Sequence, residues 1–166
     1  MKWWGMICVM LCCAGTGLLA AGKLRREVQA LENLCAWMTA AAAILRYECP
    51  DCREWLTRMG DDPQFAGFIF AGETARMLSP LCPPTECWTC AVSGDPGIPD
   101  AARDSLLHLG ASLGSTDLEG QLDALSLCRE RLENALVQAR ENARVRGKLY
   151  RALGLLTGAM AGVMIL

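Results

Sequence analysis

The length, composition and charge of the chain exclude several classes of protein. Its 166 residues, 52% of them hydrophobic, suffice for one domain of ordinary size with an apolar fraction slightly above the usual range. A net charge of −2 and an isoelectric point near 5.4 argue against nucleic-acid binding, which depends on a basic surface. The sequence has no phosphate-binding loop and no HExxH zinc motif, and we predict a protein that is not an enzyme and has no cofactor or catalytic metal.

Charged residues divide the chain into three parts. The 16 basic and 18 acidic side chains all lie within residues 23–151, except Lys2. Residues 3–22 carry no charge, and as a helix they would span about the 30 Å of a bilayer core. We therefore predict a transmembrane anchor over residues 1–22, a water-facing domain over residues 23–151 and a second transmembrane segment over residues 152–166.

A cleaved signal peptide is the alternative for the N-terminal segment, because Lys2 could serve as its basic region. The residues that follow the segment favour an anchor, since Lys23, Arg25 and Arg26 form a stop-transfer pattern. Basic residues also set the orientation, and eight of them flank the middle domain against Lys2 on the far side. The domain is therefore predicted to be cytoplasmic, with both termini outside.

The middle of the chain is predicted to be helical throughout. After the first anchor, apolar residues recur in alternating steps of four and three, which is typical of a seam between helices: Leu24, Val28, Leu31, Cys35, Met38, Ala42 and Leu45. Breakers and caps then predict four short helices: residues 51–59, residues 63–78 with Asp62 as cap, a helix from Thr85, and residues 100–112. The main loop is predicted at residues 93–100, and Trp37, Trp55 and Trp88 are expected in the core.

A long helix is predicted from Asp117 to beyond Tyr150. Thr116 and Glu119 have the spacing of a capping box, and Asp117 adds negative charge to the first turn. The same four-three spacing continues along this helix: Leu118, Leu122, Leu125, Leu132, Leu136, Ala139 and Ala143, with Arg129 as a polar break. We predict an all-α fold in which residues 23–48 and 117–150 form a long antiparallel pair capped by the short helices.

Small residues in the last segment are spaced for close packing in lipid. Gly154, Gly158 and Gly162 form a doubled GxxxG pattern. Such a face packs either against the first transmembrane segment of the same chain or against another protein, which includes a second copy. Both interpretations stay open.

Two CxxC pairs offer an alternative function. Cys49 with Cys52 and Cys87 with Cys90 have the number and spacing of a four-cysteine zinc site, for which Cys82 is a substitute ligand. The glycines and turn residues of a zinc knuckle are missing around them, so we favour reduced thiols in a cytoplasmic domain. The alternative is a membrane-anchored zinc or thiol module.

Several segments resemble the stage III sporulation protein AB family. They are the run LLHLGASLGSTDLEGQL over residues 106–122, the stretch KLYRALGLLTG from Lys148, the apolar ends and Trp88. The resemblance implies a platform protein in the mother-cell membrane around the forespore, similar to the inner-membrane platform of type II secretion and pilus machines. It also implies other membrane proteins of that assembly and a cytoplasmic secretion-type ATPase, stage III sporulation protein AA, as partners.

The turn between the last short helix and the long helix is the predicted contact with this ATPase. It lies at the predicted membrane-distal end of the stalk, where the resemblance is also tightest. The candidate contact residues are Gly110, Leu113, Gly114, Asp117 and Gln121. The alternative is structural, since the two glycines would supply backbone freedom while Asp117 and Gln121 cap and solvate the helix.

Overall fold

The computed structural model describes the backbone of residues 2–79, 82–113 and 117–165, and the side chains of residues 19, 22–79, 82–113 and 117–147. Every regular element in these ranges is helical, which confirms the predicted all-α class. The helices are α1 Lys2–Glu48, α2 Cys52–Asp61, a 3₁₀ turn Pro63–Phe65, α3 Phe70–Met77, α4 Pro84–Gly94, α5 Asp100–Gly110 and α6 Leu118–Ile165.

The chain divides into two compact units. Met1–Gln29 and Val137–Leu166 form one, and Ala30–Leu136 form the other. The boundaries proposed from charge, at residues 22 and 151, stay predictions because compactness does not distinguish lipid-facing from water-facing residues.

Among the residues described, the stretch Gly22–Glu48 of α1 is long and apolar enough to cross a membrane. Part of its apolar character has another origin, since Leu31, Leu34 and Trp37 are fully buried in the core of the second unit. The predicted anchor over residues 3–22 is helical, but apart from Leu19 and Gly22 its side chains lie outside the described ones. The packing of Gly154, Gly158 and Gly162 lies outside them too.

Helix α1 is buried in the second unit along a stripe that is wider than the predicted seam. Leu31, Met38 and Leu45 belong to the predicted seam and are buried. Leu34, Trp37 and Ala41 are equally buried, although the seam pattern did not include them. A helix that faces the core of a domain needs an apolar stripe wider than a two-helix seam, and each large side chain so buried contributes about 1.5–3 kcal/mol.

An aromatic cluster forms the centre of this unit. The ring of Trp37 lies 5.9 Å from Trp55, 5.1 Å from Phe70 and 6.3 Å from Trp88, and each of these rings is at most 1% exposed. The indole N–H of Trp55 donates to the carbonyl of Ala41 at 3.2 Å, and that of Trp88 to Leu106 at 2.7 Å. The three tryptophans therefore fill the core as predicted, and the indole N–H groups of Trp55 and Trp88 are hydrogen-bonded there.

The predicted helix over residues 63–78 is wrong as a single element. Asp62 does act as a cap, because its side chain accepts a hydrogen bond from the backbone N–H of Gln64 at 2.9 Å. The segment nevertheless ends as a short 3₁₀ turn at Phe65, and α3 begins only at Phe70. The carboxylate of Asp95 accepts from the N–H groups of Ile69 and Phe70 at 2.8 and 3.0 Å, which fixes that later start.

Asp95 and Arg103 together form a polar clasp around the loop after α4. Asp95 is 1% exposed and also accepts from the backbone N–H of Gly97 at 2.7 Å. The guanidinium of Arg103 donates to four carbonyls at the end of α4 and in the loop, those of Val92, Ser93, Asp95 and Ile98. The clasp satisfies backbone groups that the ends of α3 and α4 leave without helical partners.

Helix α6 begins with a local cap. The side chain of Asp117 accepts a hydrogen bond from the N–H of Gly120 at 3.0 Å, so Asp117 is itself the capping residue. Thr116, the predicted cap, lies outside the described residues. Four residues of the predicted seam on α6 are buried: Leu125, Leu132, Leu136 and Ala139. Cys128 is buried as well, although the seam pattern did not include it. Arg129 is exposed and donates to Glu133 at 2.8 Å.

Candidate functional site

The two CxxC pairs do not meet in one site. Cys49 and Cys52 lie at the junction of α1 and α2, whereas Cys87 and Cys90 lie on α4, where Cys87 is buried and Cys90 is exposed. Within the part of the chain that the structure describes, no three His, Cys, Asp or Glu side chains are grouped so that they could hold a metal ion. The geometry therefore gives the zinc alternative no support.

The candidate site is the α5–α6 corner, which comprises α5, the turn over residues 111–113 and α6 up to Arg131. Its backbone turns through three hydrogen bonds, in which the N–H groups of Ala111, Ser112 and Leu113 donate to the carbonyls of His108, Leu109 and Gly110. The donor–acceptor distances are 3.1–3.2 Å. The turn thus extends the end of α5 and leads the chain towards α6.

Gly110 is required by the core. A Cβ at this position would lie 2.3 Å from Cδ1 of Trp88 and 3.0 Å from its Nε1, so that only glycine fits beneath the indole ring. Gly110 and Leu113 are both buried. Neither residue is therefore exposed to a partner, and Gly114 lies outside the described residues.

The exposed part of the predicted contact is the first turn of α6. Asp117 is exposed, Leu118 retains 37% of its surface, and Gln121 is half-buried. The corner therefore presents a carboxylate, an apolar side chain and an amide at its surface. Leu118 was predicted as a seam residue, and its exposure makes it available for a contact instead.

A groove of about 360 Å³ lies beside this turn, between α5 and α6. It is lined by Ser105, His108, Leu109, Ala111, Ser112, Ala124, Leu127, Cys128 and Arg131. Leu109 and Cys128 are buried, whereas Leu127 is 50% exposed and His108 and Arg131 are exposed at the surface. The groove can hold an apolar side chain, with His108 and Arg131 available for a polar or acidic neighbour.

Cys128 is a packed thiol. Its Sγ donates to the carbonyl of Ser105 at 3.4 Å, and burial raises its pKa to about 12. A thiol with such a pKa is protonated at neutral pH and is a poor nucleophile. Cys128 therefore helps to join α6 to α5 and offers no reactive group to a ligand.

Residues 110–114 read GASLG and so match the letters of the GxSxG nucleophile motif, which needs a strand leading into a sharp turn before a helix. Here helix α5 precedes Ser112, and the hydroxyl of Ser112 donates to the carbonyl of Leu109 at 2.7 Å. The described part of this turn is thus the end of a helix and not the nucleophile elbow of a hydrolase. The glycine at position 110 is required by its close contact with Trp88.

The sequence profile of the stage III sporulation protein AB family matches residues 2–166. The chain belongs to this family. No curated protein and no solved structure matches the chain. Membership in the stage III sporulation protein AB family confirms the resemblance found in the sequence and makes this a sporulation-related protein. The match includes the α5–α6 corner and both apolar ends.

Sequence reasoning missed three features of this stage III sporulation protein AB chain. The groove at the corner includes His108, which has only leucines as close neighbours in the sequence. The contact between Gly110 and Trp88 and the polar clasp both join residues that are distant in the chain. One indication of the contact between Gly110 and Trp88 was present in the sequence. A glycine inside an apolar helical stretch often marks a position where another part of the chain packs closely against the backbone.

Proposed function

We propose that this protein is a non-enzymatic membrane platform of the assembly that joins mother cell and forespore, and that it couples the cytoplasmic ATPase, stage III sporulation protein AA, to the membrane proteins of that assembly. The observation that carries the proposal is the family match over residues 2–166. An all-helical fold without a grouped set of metal-ligating side chains in its described part is compatible with a protein that acts by contact.

The lengths of the two long helices support a membrane anchor at each end of the chain. Helix α1 has 47 residues and α6 has 48, so each is about 70 Å long. A bilayer core takes up only about 30 Å of such a helix. Each helix is therefore long enough to span the membrane and to continue into the cytoplasmic domain, and the basic residues flanking that domain favour this orientation.

Contacts within the second unit support the proposed antiparallel pair. Met38 and Thr39 of α1 line one groove with Leu125 and Ser126 of α6. Cys35 lies close enough to Cys128 to influence its pKa. Moving forward along α1, from Cys35 to Met38, corresponds to moving backward along α6, from Cys128 to Leu125, as expected of antiparallel neighbours.

The α5–α6 corner is the proposed ATPase contact. Asp117, Leu118 and Gln121 supply polar and apolar groups at the surface, and the adjacent groove accepts an apolar side chain. The buried Gly110 and Leu113 support this surface from below. The proposed contact thus comprises the first turn of α6 and the groove beside it, instead of the five residues suggested by the sequence.

Co-purification of the full chain in detergent with tagged stage III sporulation protein AA tests this proposal. We expect the parent protein to be retained and the double variant Asp117→Lys, Gln121→Arg to be lost. The matched control, Glu141→Lys with Gln138→Arg, makes the same change of charge at exposed positions further along α6 and should be retained. A parent protein that folds and yet is not retained would refute the coupling, whereas equal retention of both variants would exclude the corner as the contact.

A further inference from the structure

Two cysteines that do not form a CxxC pair lie in direct contact. The Sγ atoms of Cys82 and Cys87 are 2.8 Å apart, only about 0.8 Å further than in a disulfide bond. Cys87 also lies 3.9 Å from the carbonyl oxygen of Cys82. The sequence pairs Cys87 with Cys90, but the structure places Cys87 against Cys82.

The start of α4 explains this pairing. Pro83 is the capping residue and Pro84 the first helical residue, so Cys82 precedes the cap and Cys87 is the fourth residue of the helix. These are the positions of the hydrophobic staple, whose two side chains pack together at a helix start. The N–H of Cys82 donates to Ser79 at 3.1 Å and that of Cys87 to Pro83 at 3.2 Å, so the backbone is held at both cysteines.

We propose that Cys82 and Cys87 form a reversible intrachain disulfide by exchange with a low-molecular-weight disulfide. Cys82 is partly exposed, and its thiolate attacks one sulfur of the small disulfide, which releases one small thiol and leaves a mixed disulfide on Cys82. Burial raises the pKa of Cys87 to about 11, so only a small fraction of it is a thiolate at neutral pH. That thiolate, formed by loss of the proton to water, attacks the sulfur of Cys82 and releases the second small thiol. The two cysteines lose two electrons, and the small disulfide gains them.

The disulfide would fasten the linker between α3 and α4 to the first turn of α4. Cys87 is followed directly by Trp88, which is buried in the aromatic core and hydrogen-bonded there, so the disulfide would tie the linker to that core. Cys90 is exposed and stays a thiol, although accessibility alone would make it the more reactive residue. The geometry thus predicts that Cys87 forms its disulfide with Cys82 and not with Cys90.

Mass spectrometry of the full chain tests this selection. The protein in detergent is equilibrated with reduced and oxidised glutathione, quenched with acid, alkylated and digested with trypsin. Residues 77–103 form one tryptic peptide that contains Cys82, Cys87 and Cys90. We expect this peptide to lack two hydrogens and to carry one alkyl group, on Cys90. An alkyl group on Cys82, or on all three cysteines, would overturn the proposal.

Two comparisons make the test specific to the fold. The equilibrium constant for the bond between Cys82 and Cys87 should be at least about tenfold larger in the folded chain than in a synthetic peptide of residues 77–103, because the fold holds the thiols together. Cys90→Ser should leave that constant unchanged, and Cys82→Ser should leave Cys87 reduced while the tryptophan fluorescence shows a folded protein. An equal constant in the free peptide, or a bond between Cys87 and Cys90 formed as readily in Cys82→Ser, would contradict the inference.

Discussion

At the start of both α3 and α6 an aspartate side chain accepts backbone hydrogen bonds, but the two aspartates differ in burial and in their distance along the chain from the helix start. Asp95 is 1% exposed and accepts three backbone hydrogen bonds, two of them at the start of α3 from residues 25 and 26 positions away. Asp117 is exposed and accepts one, from Gly120 in the first turn of its own helix. The start of α3 is therefore tied into the core, whereas the start of α6 is stabilised locally by a side chain that is exposed to solvent.

The largest loss is expected for Asp95→Ala. One buried and two part-buried N–H groups would lose a carboxylate acceptor, each at a cost of about 1–3 kcal/mol, so the free energy of unfolding should fall by about 4 kcal/mol. Denaturant titration of the full chain in detergent, followed by tryptophan fluorescence, measures this change. Asp95→Asn keeps one carbonyl acceptor and should lose less. A loss of no more than 1 kcal/mol for Asp95→Ala would remove the difference between the two helix starts.

Gly110→Ala should destabilise the corner by about 2 kcal/mol, because the added methyl group overlaps the ring of Trp88. Trp88 cannot move freely, since its N–H is bonded to Leu106 at 2.7 Å. Gly94→Ala is the matched control, as a Cβ at Gly94 meets no atom within 4 Å. The same titration should show no loss for the control. Equal stability of both variants would show that the corner tolerates the displacement of Trp88.

The buried thiol of Cys128 makes stability at the corner depend on alkaline pH. Burial raises its pKa from 9.0 to about 12, so the folded state favours the neutral thiol. Its contribution is complete below pH 9 and is lost as the pH rises from about 9 to 12, by about 1.4 kcal/mol per pH unit. Cys128→Ala should therefore lose less stability than the parent between pH 9 and 11. Parallel pH profiles would show that Cys128 does not titrate differently in the two states.

Asp117→Ala should have the smallest effect, about 1 kcal/mol, because only one exposed cap is lost. Circular dichroism should show almost unchanged helix content, since most of α6 does not depend on its first turn. Thermal unfolding of Asp117→Ala and of Asp95→Ala in the same detergent measures the two losses of stability for comparison. A loss as large as that of Asp95→Ala would mean that the start of α6 is as tightly integrated as that of α3.

The same contrast explains what the sequence could predict. Local rules identified the cap at Asp62 and the start of α6 near Asp117, and helical spacing identified Leu31 and Leu125 as buried. The start of α3 could not be predicted, because its cap, Asp95, lies beyond the next helix. Periodicity placed residues on a face, but it did not reveal how wide the buried stripe of α1 is.

The candidate site was predicted only in outline. The turn before α6 was found from its glycines and its capping pattern, yet two of its proposed contact residues, Gly110 and Leu113, are buried. The need for glycine at position 110 arises from Trp88, which packs there only once the chain has folded. Cys87 likewise contacts Cys82 because of the cap at Pro83, and the CxxC spacing suggested a different partner.

Photo-crosslinking in sporulating cells tests the central claim most directly, that the α5–α6 corner contacts the ATPase. A photoreactive phenylalanine analogue replaces Leu118 in the full chain. This position is chosen because the Leu118 side chain is 37% exposed, so that the analogue can reach a partner at the surface. A second chain carries the analogue at the exposed Gln138. We expect a crosslink to stage III sporulation protein AA from position 118 and none from position 138. A crosslink from position 138 alone, or from neither position while both chains accumulate to normal levels, would contradict the claim.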